Sequence, residues 1–344
     1  VTARLVAGVA GPPANPYDAD VIILALDRAP ETIDAMRSVR DQTGVSLHLF
    51  VLDQGSCAAA LGQLMAAVVD RDDVTVLAVD QNLGVAGGRN LISARGHGRV
   101  IVALDNDATF ASPDTVACLV EALDAEPRLA AIGCRIMTEA GRADDLSSWG
   151  YPATLLPRAG ETFDTVTFVG AGHAIRRTAW EQAGGYDQKL FFCWEELDFC
   201  LRAIALGWHI RYRGDIVVRH KVASERRVTW AGTRWFYFVR NRIYIERKLG
   251  RSWAGAAPRM GAYLLKGLRN GMLLNTVRAF VAARAMAPRA RVGSMPSAGE
   301  VYLSRNDRAY RGSWFHQLRH DVLGQIGRPS NVASATDRRL SGFR

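Results

Sequence analysis

Two aspartates stand two residues apart in Leu104-Asp105-Asn106-Asp107, where an apolar run ends and releases them into a loop. Hard cations such as Mg²⁺ and Mn²⁺ prefer oxygen ligands and keep positions for water and phosphate, so two carboxylates at such a spot suit a cation that bridges a diphosphate. Asp and Asn are also the favoured residues of turns and helix caps, which is the structural reading of the same tripeptide. A second acidic group, Trp194-Glu195-Glu196-Leu197-Asp198, opens a helical pattern that stops at Gly207. Acidic residues at a helix start are stabilised by the helix dipole, so good capping alone accounts for them. The chemical reading is a general base, because like charge and partial burial push a carboxyl pKa upward against that dipole. His220 closes the run Val217-Val218-Arg219-His220 and is the candidate partner, although a lone histidine is more often structural. The glycine-rich turn Asn82-Leu83-Gly84-Val85-Ala86-Gly87-Gly88-Arg89-Asn90 would let backbone approach a ligand and let Arg89 meet a phosphate or base. It is neither a P-loop nor a dinucleotide fingerprint, since it has no Gly-Lys-Ser/Thr and no GxGxxG.

Short β-branched apolar runs must position these groups. They lie at residues 20–26, 47–53, 74–80 and 99–105, and each of the first three is followed by a helical pattern. Such alternation predicts an α/β fold with a parallel sheet covered by helices on both faces, in which ligands gather at the carboxyl ends of the strands. Three of those ends carry Asp53, Asp80 and Asp105. Further on, the spacing predicts a helix over 113–125 and a strand over 129–137. Residues 139–161 lose periodicity and read as a long loop of the kind that is often functional. Order returns at 166–177, then in the helix from Glu195 and in two short strands at 208–213 and 215–219. Residues 1–19 read as an N-terminal extension, 20–225 as the main domain, 226–326 as a basic helical region, and 327–344 as a mobile tail.

The chain has 344 residues with 49% hydrophobic and 22% charged content, which excludes wholesale disorder and low-complexity architectures. Its net charge of +9 divides into −9 over residues 1–225 and +18 over 226–344. The acidic front speaks against nucleic acid lying across the whole molecule, and the basic, aromatic-dotted rear suits anionic lipid headgroups or a phosphate-bearing ligand. The five cysteines are scattered and read as reduced thiols with no zinc-type spacing. The most hydrophobic region, 261–287, is broken by Lys266, Arg269, Arg278 and Arg284, so no membrane-spanning helix is expected. The first 13 residues make too weak a signal for secretion, and the expected location is cytoplasmic, with peripheral membrane contact through the basic helices.

Taken in order, Asp53-Gln54-Gly55-Ser56, Asn82-x-Gly84 through Arg89-Asn90, Leu104-Asp105-Asn106-Asp107, Gly184-Gly185-Tyr186-Asp187, Phe191-Phe192 with Glu195-Glu196-Leu197-Asp198, Arg202 with Gly207, and His220 resemble glycosyltransferase family 2. The likeness is to its bacterial rhamnosyltransferase-like members especially, and it covers residues 20–249. It implies a GT-A fold with a Rossmann-like, mostly parallel sheet and a C-terminal helical appendage. It also implies a nucleoside-diphosphate sugar as donor, Mg²⁺ or Mn²⁺, and transfer with inversion to a saccharide or lipid-linked acceptor. The nucleotide-sugar half would be residues 20–110 and the acceptor half 111–225.

By that resemblance Asp53 reads a pyrimidine ring, Arg89 lies beside the nucleotide, Asp105 near the ribose, and Asp107 is the principal metal ligand. His220 completes the metal site or touches the diphosphate. Glu196 is the base, with Glu195 as its substitute, and Trp194 and Trp149 are candidate acceptor platforms, with burial as their structural reading. Arg240-Asn241 resembles an Arg-Asn pair common in the following helix. The chain departs from the family at Ala25-Leu26-Asp27-Arg28, where members have Thr-Tyr-Asn-Arg, at Gln54, and at Glu196, where an aspartate is usual. Two rivals stand beside this reading: a nucleotidyltransferase acting on sugar phosphates, and a non-catalytic nucleic-acid-binding protein using residues 226–344. A homo-oligomer built through the basic helices is also compatible.

Overall fold

The computed structural model describes residues 2–221, 231–286 and 295–312. They fall into two units. The first is built from residues 2–145, 150–221 and 295–310, and the second from 146–149, 231–286 and 311–312.

The first unit is one ten-stranded sheet. Its strands are β1 Arg4–Gly8, β2 Ala19–Ala25, β3 Leu47–Asp53, β4 Val74–Ala78, β5 Val100–Asp105, β6 Ala108–Phe110, β7 Leu129–Thr138, β8 Thr162–Thr165, β9 Gly172–Arg176 and β10 His209–His220. The path runs β1-β4-β3-β2-β5-β9-β7-β10-β6, with β8 added on β10. The expected parallel pattern holds for β4-β3-β2-β5. Beyond β5 the sheet is mixed: β9 runs antiparallel to both β5 and β7, and β10 is parallel to β7 but antiparallel to β6 and β8.

Six helices cover the two faces: α1 Ala29–Arg40, α2 Ala58–Ala66, α3 Gly84–Ser93, α4 Thr115–Asp124, α5 Arg177–Ala183 and α6 Glu195–Ala205. Because side chains alternate along a strand, the apolar runs feed two separate cores. Val21, Ile23, Leu49, Val51 and Val102 point to the face of α1, α2 and α4. Ile22, Phe50, Leu52, Ile101 and Ala103 point to the face of α3, α5 and α6. Pro30 at the start of α1 supplies a fixed φ where no backbone donor is needed, and Thr32, Ala35, Met36 and Val39 then recur on its buried side.

The second unit contains α7 Ala231–Lys248, α8 Trp253–Arg269 and α9 Leu273–Met286. Trp235, Val239, Ile243, Tyr263, Ala279 and Ala283 form its core. Within the basic helical region, α8 and α9 are separated at Gly271, whose φ of 69° makes a left-handed turn between them. Gly267 lets α8 approach the Thr276 hydroxyl more closely than any side chain would allow.

Four expectations are redrawn. Residues 4–8, placed in an extension, add β1 antiparallel to β4. The two strands expected at 208–219 are one strand, β10, whose register shifts between Arg213 and Val217. The loop at 139–161 carries short 3₁₀ turns at Leu146–Ser148 and Ala153–Arg158. The helical region drawn as 226–326 is divided, because α10 (Ser297–Asn306) returns to the first unit, with Met295, Tyr302 and Leu303 packed on the core under α6. The tail at 327–344 lies outside the described residues.

Candidate active site

Strand register brings the carboxylates together. Ala25 pairs with Asp53 and Leu24 with Asp105, so both aspartates flank the carboxyl end of β2. On the far side, His220 pairs with Ala108, and the Lys221 amide donates to the Asp107 carbonyl at 2.8 Å. A histidine 113 positions further along the chain, counted from Asp107, thereby meets that aspartate.

Asp105, Asp107 and His220 offer ligand atoms that all lie within 4.8 Å of one another. His220 Nε2 is 3.2 Å from Asp107 Oδ1, and its Nδ1 is 2.9 Å from Asp145 Oδ2. Burial alone would discharge this ring, but Asp107 and Asp145 outweigh it and raise the pKa to about 9. Burial likewise works against the Asp107 carboxylate, yet His220 and Arg28 hold its pKa down at about 2. Arg28 Nη1 donates to Asp107 Oδ2 at 2.6 Å from a backbone with φ 52°, a left-handed conformation at the start of α1. Two carboxylates with an imidazole beside them form a mostly hard donor set that fits Mg²⁺ or Mn²⁺, and a bound cation would take the place of the His220 proton and of the Arg28 contact as the positive partner of Asp107. A carboxylate behind the imidazole, as Asp145 is here, fixes the ring and its tautomer. Neither Arg28 nor Asp145 was singled out from the sequence for this role. Arg28 stood inside a departure from the family motif, and Asp145 lay in an aperiodic loop.

A second knot joins this group to the acidic helix start. Arg89 is 3% exposed. It donates to Asp105 Oδ1 and to the Gly170 carbonyl, each at 2.8 Å, and reaches Glu196 Oε1 at 3.4 Å. Both of its terminal nitrogens are thus engaged by protein acceptors. Burial raises the Glu196 pKa, and Arg89 only partly offsets that shift. Glu195 is 3% exposed, its Oε2 has no hydrogen-bond partner, and burial followed by repulsion from Glu196 pushes its carboxyl well above the ordinary range. Glu196 is therefore the ionisable carboxylate of the pair that sits against a cation. The turn before it is strained, with Phe191, Cys193 and Trp194 all at positive φ.

The remaining motif residues hold this turn in place. The glycine-rich segment does not cradle a ligand with Gly84. At φ 72° that residue lies against the Phe191 carbonyl, which accepts from the Val85 amide at 2.7 Å. Asn90 clamps Tyr186 through both its amide and its carbonyl oxygen. Arg202 pairs with Asp198 at 2.9 Å and donates to the Ala183 and Gly185 carbonyls at the end of α5. Asp53 is 1% exposed. Its Oδ1 accepts from the Gly55 and Ser56 amides, and its buried Oδ2 has no hydrogen-bond partner. Trp194 is half-buried beside Glu195, and Trp149 is half-buried in the second unit. Asn241, also in the second unit, is buried and accepts from Arg240 Nε at 2.8 Å.

Residues 20–184 match the model of the family described as Glycosyl transferase family 2. Over 116 residues the chain is 32% identical to the succinoglycan biosynthesis protein ExoO of Rhizobium meliloti (strain 1021), a stretch covering 33% of this chain and 32% of that protein. Over 175 residues it is 23% identical to an uncharacterized protein of Haemophilus influenzae, covering 48% of this chain and 90% of that one. Among solved structures, the mannosyltransferase PcManGT from Pyrobaculum calidifontis in complex with GDP-Man and Mn²⁺ superposes with a TM-score of 0.56 at 20% identity, over 97% of this chain and 90% of that one. GalNAc-T7 with UDP, GalNAc and Mn²⁺ gives 0.57 at 15% identity, over 73% of this chain and 52% of that one. At such identities the likeness is one of fold, and the fold is GT-A.

Proposed function

We propose that the chain is a member of glycosyltransferase family 2, whose model residues 20–184 match, and that it moves a hexosyl or deoxyhexosyl group from a nucleoside-diphosphate sugar to a hydroxyl of a saccharide or lipid-linked acceptor in bacterial glycan synthesis, with inversion. One observation carries this reading: Arg89 joins Asp105 of the cation cluster to Glu196 of the acidic helix start, so the two chemical groups share one edge of the sheet. Asp107 and His220, with Asp105 within reach, would hold Mg²⁺ or Mn²⁺, which when bound supplies charge stabilisation for a departing diphosphate.

The chain's own residues supply the rest. Glu196 takes the proton of the acceptor hydroxyl as that oxygen forms its bond to the anomeric carbon and the bond to the diphosphate oxygen breaks. Its raised pKa makes it the stronger base, and Arg89 keeps it ionised and aimed. The partnerless Asp53 Oδ2 is suited to accept a hydrogen bond from a ring N–H of the nucleobase. Trp194 offers an aromatic face for the acceptor sugar next to the base. The nucleotidyltransferase reading lacks support where it needs it most: the turn after β2, Leu26 to Pro30, carries no glycine, and its arginine is bound to Asp107.

The test is a panel of nucleotide sugars incubated with the purified chain and Mg²⁺ or Mn²⁺, with product masses as the readout. Glu196→Gln is expected to lower transfer by about 10²–10⁴-fold while leaving the fold intact. Asp107→Ala is expected to abolish the response to metal titration. Near-normal turnover by a well-folded Glu196→Gln variant removes the base assignment.

A further inference from the structure

We infer that the α8–α9 hairpin is a lipid-docking surface that seats its apolar tip in the interfacial layer of an anionic bilayer. The inference is independent of the sugar-transfer reading and uses only the second unit. Thirteen large apolar side chains are exposed among the described residues, and seven of them lie between positions 264 and 281. Leu265 is 46% exposed, Leu268 60%, Leu274 68% and Val281 67%. They are not strays from the packed faces. Tyr263 and Gly267 on α8, and Thr276, Ala279 and Ala283 on α9, are buried, while Leu264 and Leu268 at i,i+4 and Leu274, Val277 and Val281 at i,i+3,i+7 form separate outward stripes. Exposed apolar side chains grouped in this way mark an interaction surface.

Charge identifies the occupant. Residues 231–286 hold eleven basic side chains and one acidic one, Glu246, which is already bound by Arg259 at 2.5 Å and approached by Arg251 at 3.5 Å. No acidic residue occurs between Glu246 and Glu300, so Arg269 and Arg278 flank the apolar stripes without an acidic neighbour in sequence, while Lys266 and Arg284 lie over the rings of Trp235 and Trp253. A second copy of this surface would set like charge against like charge. Nucleic acid would meet the arginines but would leave the leucines in water. An anionic bilayer satisfies both, because headgroups take the cations while the acyl boundary takes the leucines. No described helix is long and apolar enough to cross a membrane, so the contact is interfacial.

The test uses the full chain with vesicles of phosphatidylcholine alone and of phosphatidylcholine mixed with phosphatidylglycerol. Co-sedimentation with the mixed vesicles, weakened by salt, is expected for the native chain. The double substitution Leu268→Asp with Leu274→Asp, at two exposed positions, is expected to lower the partition coefficient by at least about tenfold with an unchanged circular dichroism spectrum. The tryptophan added by Leu274→Trp is expected to show a blue-shifted difference emission only with mixed vesicles. Absence of native chain from the mixed-vesicle pellet overturns the proposal, as does equal pelleting of the double variant or an unshifted emission. A vesicle-independent dimer lost in the double variant would reassign the tip to self-association. Binding to duplex DNA that survives the double substitution, without any vesicle binding, would reassign the basic surface to polyanions.

Discussion

At the scale of single residues, the site depends on one position where a side chain is missing. A Cβ built on Gly170 would lie 2.5 Å from Glu196 Oε1 and 3.5 Å from Arg89 Nη1. The nearest obstacle is the end of a flexible side chain, so the fold can absorb an added methyl only by moving the carboxylate. Gly170→Ala is therefore expected to lower turnover by about 10–100-fold, since a base displaced by about an ångström loses its reach, while the melting temperature changes little. Parallel activity and melting assays check this, and a variant of native activity would show that Glu196 has other room. The places of Asp105, Asp107, His220 and the glutamate pair were legible in the sequence because each lies at or beside the end of a strand or the start of a helix, where periodicity stops. Gly170, Arg28 and Asp145 were not. Arg28 meets Asp107 across 79 residues and Asp145 meets His220 across 75, and no local pattern encodes such a pairing.

At the scale of elements, the alternation of strands and helices over residues 20–105 was readable because buried parallel strands are continuous apolar runs. Edges were harder. β1 has no fully buried residue, and α10 offers only a few large apolar side chains, so neither gives a strong periodic signal. What anchors α10 is polar. The Ile210 amide donates to the Tyr302 hydroxyl at 2.9 Å, and the single proton of that hydroxyl is shared between the carbonyls of Thr165 and Ile210 at 3.0 and 2.9 Å. Tyr302→Phe leaves these backbone groups without their side-chain partner and is expected to cost about 1–3 kcal/mol. Urea unfolding measures it, and an unchanged midpoint would mean that the α10 contact is dispensable.

At the scale of the whole molecule, pH acts on stability from two sides. His48 is 1% exposed, and burial lowers its pKa to about 4. Below pH 6.5 the unfolded chain takes up a proton that the folded chain refuses, so this contribution is present above 6.5 and is lost as pH falls from 6.5 toward 4. Glu195 does the opposite. Its pKa is raised on folding, so its contribution is full below the ordinary carboxylate value and is lost as pH rises through the folded value. Melting temperature against pH is expected to lose several degrees of its acid-side decline in His48→Gln, and to flatten on the alkaline side in Glu195→Gln. Curves parallel to that of the native chain would refute both assignments.

The return of α10 also has a consequence for how the protein is made. Tyr302 follows Ile210 by 92 residues, a distance that a ribosome working at 5–20 residues per second covers in roughly 5–20 s. Throughout that interval the nascent β10 waits for its closing hydroxyl while α7, α8 and α9 emerge, so a product stalled between them would present an unsealed backbone to chaperones and proteases.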